Sequence, residues 1–142
     1  MRKNTSELLN EICRSKSMES WTSSHEDALI EEMSLSDYLE SLLKTYGLKK
    51  NEIIHRSNLD QTYGYQIFQG AKKNPSREKL LRLALAFPLT VDETKRLLYY
   101  GGAETLYPRV PRDAYLMFAI HNKFTVIETD NYLDDHGEKT LG

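Results

Sequence analysis

The chain of 142 residues holds one cysteine, Cys13, so no disulfide can form within it. A reducing compartment suits such a chain. It has no run of eighteen apolar residues, which excludes a hydrophobic membrane-spanning helix. Its opening, MRKNTSELLNEICRSKS, lacks the apolar centre of an export signal, so a cytoplasmic location is expected. Apolar residues are scarce, at 39%, so a well-packed core is expected over part of the length only. One domain with extensions fits this size. No glycine-rich phosphate loop is present, and Gly101-Gly102 reads as a helix stop. His25, His55, His121 and His136 lie far apart, and with one cysteine they match no zinc spacing, so no metal site is expected. Nothing local marks a nucleophile with its base, so neither catalytic residues nor a cofactor are expected. Strand-like alternation is almost absent, and the chain reads as all-α.

Net charge is also small, at −2, and alone it argues against non-specific nucleic-acid binding. The distribution argues otherwise. Residues 49–82 hold eight Lys/Arg against three acids, which makes the stretch +5. Residues 1–40 hold four basic and nine acidic side chains, which makes them −5. Affinity for a polyanion depends on the local field at the docking surface, which a total hides.

Helix signals then follow in order. Residues 1–33 read as an acidic arm. Leu8, Leu9 and Ile12 form a brief apolar stripe there, and a Ser-rich charged linker contains Trp21. The compact part begins at Ser34, whose pairing with Asp37 is a capping pattern. Leu35, Leu39, Leu42, Leu43 and Tyr46 recur at helical spacing, and Gly47 ends that helix. Lys49–Ser57 reads as the second helix and Gln61–Gln69 as the third. Pro75-Ser76 starts a fourth. Thr90 with Glu93 caps a fifth that ends at Gly101-Gly102. Pro111 suits the first turn of a further helix, and Thr125 with Glu128 caps a last one. Residues 136–142 read as a frayed tail. The expected organisation is an arm (1–33), a five-helix domain (34–102) and a C-terminal helical hairpin with its tail (103–142). The hairpin serves either as a cap on the domain or as a dimer contact.

The segment LKKNEIIHRSNLDQTYGYQIFQGAKKNPS places apolar residues at Leu48, Ile53, Ile54, Leu59, Ile67 and Phe68, with polar and basic ones between. From Lys50 to Gln69 it resembles the helix-turn-helix of the Cro/CI, or lambda-repressor-like, family, and more loosely the likeness extends over about residues 35–98. Lys50 stands where the family often has a phosphate-contacting glutamine, Asn58 where it has the turn glycine, and Ser57 where an apolar residue is usual. Ile67-Phe68-Gln69-Gly70 and AKKNPS resemble its closing apolar pair, terminal glycine and basic loop. At Ile54 and Gly64 the family usually carries a small and a β-branched residue, so here the large and small partners of the helix crossing look exchanged. A volume-conserving exchange is tolerated if the site repacks.

The resemblance implies a five-helix domain with its third helix in the major groove of DNA. Base contacts are then expected from Gln61, Thr62, Tyr65 and Gln66, since Gln pairs with adenine and Thr touches a thymine methyl or exchanges a hydrogen bond. Phosphate contacts are expected from Lys50, Lys72, Lys73 and Asn74, helped by the positive end of the helix. The expected function is sequence-specific binding of double-stranded DNA as a bacterial or phage transcriptional regulator, with a homodimer formed through the C-terminal helices. The competing expectation is an adaptor that uses the same fold to grip a protein, with the arm as a contact.

Overall fold

Polar residues that cap helices divide the chain into its elements. A computed structural model describes residues 33–142. The stripe at Leu8, Leu9 and Ile12, Trp21, and the rest of the expected arm lie outside the described residues, apart from Met33. Ser34 Oγ accepts the Asp37 N–H at 3.1 Å and opens α1 (Leu35–Tyr46). Lys49 precedes α2 (Lys50–Ser57), one residue later than expected, and its N–H donates to Glu52 Oε1 at 3.2 Å. Asp60 Oδ2 caps α3 (Gln61–Gln69), and Ser76 Oγ caps α4 (Arg77–Ala86). Full capping boxes, Thr90 with Glu93 and Thr125 with Glu128, open α5 (Val91–Tyr100) and α7 (Val126–Asp135). Pro111 occupies the first turn of α6 (Pro111–His121). Each side-chain cap satisfies backbone donors that a helix start leaves open. The described residues hold seven helices and no strand, and none of these helices is long and apolar enough to cross a membrane.

The fourth helix sits at the centre. Leu80, Leu81, Leu83 and Ala84 are all fully buried, so α4 is covered on nearly every side. It packs against α2, α5 and α7, while α1 packs on α3 and α5. Tyr38 and Tyr46 tie α1 to the start of α5, donating to the Glu93 backbone oxygen and to Glu93 Oε1 respectively. Burial first, then the Glu93 hydrogen bond and charge, push the Tyr46 hydroxyl up to about 12.

The hairpin of α6 and α7 caps the domain, with α6 on α5 and α7 on α4. A buried ion pair fixes it. Arg77 NH1 and NH2 reach Asp113 Oδ1 and Oδ2 at 3.0 and 2.9 Å, and Asp113 is only 3% exposed. Further hydrogen bonds surround the pair. Arg77 also donates to the carbonyls of Glu104 and Thr105, and Asp113 accepts the Tyr107 N–H.

The tail differs from the sequence expectation of fraying. Arg112 donates to the carbonyls of Lys139 and Thr140, the Leu141 N–H donates to Asp130 Oδ1 at 2.7 Å, and the Leu141 side chain is buried. One buried leucine and three long-range hydrogen bonds hold residues that have no local propensity for order.

Candidate nucleic-acid interface

Two short helices, α2 and α3, meet across the turn Asn58-Leu59-Asp60. Asn58 adopts φ +59, a conformation that asparagine tolerates and most side chains avoid. Beneath the turn, Ser57 is fully buried, but its hydroxyl donates to the Ile54 carbonyl at 2.7 Å, so the hydroxyl is satisfied where an apolar residue would otherwise sit. The crossing of α2 on α3 is unusually close. A Cβ placed on Gly64 would lie 2.7 Å from Ile54 Cγ2. The large Ile54 and the small Gly64 therefore fit each other in space: Ile54 fills the volume that Gly64 leaves.

With Ile53, Ile54, Ile67 and Phe68 turned inward, the opposite face of the pair is polar. Gln61 and Thr62 are exposed at the first two positions of α3, and Tyr65 and Gln66 follow one turn later, half-buried. A cleft of about 540 Å³ lies beside them, lined by Asn51 and His55 of α2, Asn58 and Leu59 of the turn, and Gln61 and Tyr65 of α3. Asn51 and His55 were not among the residues expected from the sequence. Their signal is the four-residue spacing of exposed polar groups on α2, which places both on one face.

The expected phosphate contacts fall into three groups. Lys72 and Lys73 are exposed on the α3–α4 loop, which starts at Gly70 with φ +88, and they make no ion pair among the described residues. Lys50 is already engaged: its Nζ lies 3.1 Å from Glu40 Oε2 and 5.8 Å from the centre of the Phe68 ring. Asn74 has a structural role, since its Nδ2 donates to the Gly101 carbonyl at 3.0 Å and so ties the loop to the end of α5.

The positive end of α3 is not open either. Asp60 Oδ2 accepts the Tyr63 N–H at 3.1 Å, so a carboxylate sits at the helix start that the sequence reading left free for phosphate. The +5 of residues 49–82 is likewise smaller in effect than its count. Asp113 offsets Arg77 and Glu40 offsets Lys50, whereas Arg56 and Arg82 keep their charge and are only held in place by the carbonyls of Ala86 and Asn58. Lys49, Arg56, Lys72, Lys73, Lys79 and Arg82 have no carboxylate partner among the described residues. No group of three or more His, Cys, Asp or Glu side chains among those residues is placed to hold a metal ion. Comparison with known protein families, with curated proteins and with solved structures finds no match.

Proposed function

We propose that the chain is a DNA-binding transcriptional regulator of the Cro/CI, lambda-repressor-like type, bacterial or phage, with α2 and α3 as its helix-turn-helix and α3 in the major groove. One observation carries this reading. The exposed start of α3, with Gln61 and Thr62, is followed by a loop whose Lys72 and Lys73 have no carboxylate partner among the described residues. Polar groups that read base edges and cations that hold phosphates are the two components such an interface needs. Binding as a two-fold pair belongs to the same proposal, because paired reading helices meet half-sites one helical turn apart.

Selection of bound sequences from a random duplex pool at physiological salt tests it. Enrichment of a palindrome is the expected result, and a pool left unenriched overturns it. Neutralising about four phosphates gives a log–log salt slope of about −3.6. A binding curve flat between 50 and 300 mM salt contradicts the proposal.

The adaptor reading draws on a different observation. Asp60 places a negative charge at the leading edge of α3, and Phe118 and Ile127 stand 49% and 62% exposed on the hairpin. A protein partner retained after Lys50, Lys72 and Lys73 are all neutralised favours that alternative.

A further inference from the structure

Three side chains from three successive elements converge beside the start of α3. Tyr63 is the third residue of that helix, and its ring is half-buried. Lys72, from the loop that follows, holds its Nζ 5.6 Å from the ring centre. Lys79, from the first turn of α4, holds its Nζ 5.1 Å from the same centre. Both distances lie within the range in which an ammonium is attracted by the face of an aromatic ring.

The backbone fixes where the lysines start. The Lys72 N–H donates to the Gln66 carbonyl at 3.2 Å, so the loop is bound back onto α3. The Lys79 N–H donates to the Ser76 cap at 3.3 Å. Neither ammonium meets a carboxylate among the described residues, although acids are close in sequence: Glu78 pairs with Arg112 at 3.4 Å. Two like charges are thus held at one ring with no carboxylate counter-ion among the described residues. Like charges gathered at one ring repel, and an anion that reaches both cations offsets that repulsion. Lys79 itself lies in the first turn of α4, near the positive end of that helix.

We infer that Tyr63, Lys72 and Lys79 form one seat for a phosphate diester of the DNA backbone, with the Tyr63 ring holding both ammonium groups in position. Tyr63 is a positioning residue in this seat, and Lys79 is a phosphate ligand that the sequence did not reveal. The inference rests on the DNA-binding reading for the identity of the phosphate. It adds that the two lysines act on one phosphate rather than on two.

Duplex binding followed against salt, on the full chain, tests this. Two lysines on two phosphates would each reduce the log–log slope by about 0.9 on removal, and the losses would add. Two lysines on one phosphate behave differently. Lys72→Ala and Lys79→Ala each weaken binding with little change of slope, and only the double variant loses about 0.9. Tyr63→Leu keeps both charges and weakens binding about three- to tenfold, while Tyr63→Phe keeps the ring and most of the affinity. Additive slope losses, or a Tyr63→Leu variant that binds as the parent does, overturn the inference. NMR of the lysine εCH₂ groups during titration with inorganic phosphate reads the seat without DNA. Coupled shifts of Lys72 and Lys79, lost in a folded Tyr63→Leu variant, support it, and their absence counts against it. Coupled shifts in a protein that binds no duplex leave the seat standing and remove the DNA reading.

Discussion

The α2–α3 pair and the α6–α7 hairpin have similar lengths but are built from opposite materials. The first turns a polar surface outward over four buried apolar side chains, Ile53, Ile54, Ile67 and Phe68, and lies in the stretch that carries +5. The second carries an aromatic cluster in which Phe118 stacks on Tyr132 at 5.4 Å and Phe124 meets both rings edge-on. Residues 103–142 hold seven acids against four Lys/Arg, so they are −3. The hairpin is attached by ion pairs and hydrogen bonds: Arg77 to Asp113, Arg112 to Glu78 and to the tail. The helix pair is attached by close packing. Both are seated by buried apolar side chains, which in the hairpin are Leu116, Ala119, Ile120, Val126 and Leu133, but the hairpin commits charged groups to its attachment as well, whereas the helix pair leaves several of its charges on the outer face.

Breaking the hairpin's ion pair is the strongest test of that contrast. Asp113→Ala leaves the Arg77 guanidinium in a largely buried site without its carboxylate. Removing one partner of such a pair costs about 3–5 kcal/mol. Chemical denaturation is expected to show a loss of that size. The double change Arg77→Met with Asp113→Leu is expected to recover much of it, because no lone charge remains. An Asp113→Ala protein as stable as the parent would show that the hairpin is held by its aromatic packing instead.

The helix pair is tested at its closest approach. Ile54→Ala removes a side chain that is 3% exposed and should cost about 2–5 kcal/mol. Gly64→Ala on the parent forces a methyl to within 2.7 Å of Ile54 Cγ2, so overpacking of about 1–3 kcal/mol outweighs the gain in helix propensity of about 1 kcal/mol. Made on top of Ile54→Ala, the same change meets no γ carbons; only the Cβ of residue 54 stays close, at 3.3 Å, a contact that a shift of a few tenths of an ångström relieves, so the gain prevails. Gly64→Ala is therefore expected to destabilise the parent and to stabilise the Ile54→Ala protein. A double-mutant cycle of thermal midpoints measures this reversal of sign. Equal effects in both backgrounds would mean that the two helices adjust their separation freely.

On the polar face the expected effects are in binding rather than folding. Gln61→Ala should relax preference at one base position by about 1–3 kcal/mol and leave the salt slope unchanged. Lys73→Ala should weaken binding to every duplex alike and reduce the slope by about 0.9. Anisotropy titrations on a selected site and its single-base variants separate the two. Identical behaviour of both variants would mean that α3 contributes charge and no readout.

Local rules made the helix pair legible in the sequence. Every cap that fixes α1, α5 and α7 is a residue pair three positions apart, and the span of α3 from Gln61 to Gln69 follows from Asp60 and Gly70 at its ends. The Ile54–Gly64 match was readable because both positions belong to one motif. Other features depend on partners far along the chain. Arg77 finds Asp113 at a separation of 36 residues, Asn74 finds the Gly101 carbonyl at 27, and Leu141 is held by Asp130 at 11. No periodicity announces such pairs, so from the sequence the tail reads as free and Asn74 as available. The state of the candidate interface was illegible for the same reason. Composition counts Lys50 as a cation, and only the fold brings Glu40 to it.

That last pairing gives the smallest effect and the most direct comparison of the two regions. Lys50 and Glu40 are 34% and 45% exposed, so water screens their attraction and the pair is worth less than about 1 kcal/mol. Lys50 must still leave the carboxylate, or share it, to hold a phosphate. Glu40→Gln keeps the shape, removes the competing charge, and is expected to tighten duplex binding about two- to fivefold with a steeper salt slope. Asp135→Asn makes the same change of net charge on the exposed surface of the hairpin. If only the local field matters, it changes affinity far less, because screening confines surface charges to about 8–10 Å at ordinary salt. Equal tightening by both variants would mean that the duplex responds to total charge, and the division between a cationic face on the helix pair and an acidic cap would then carry no functional weight.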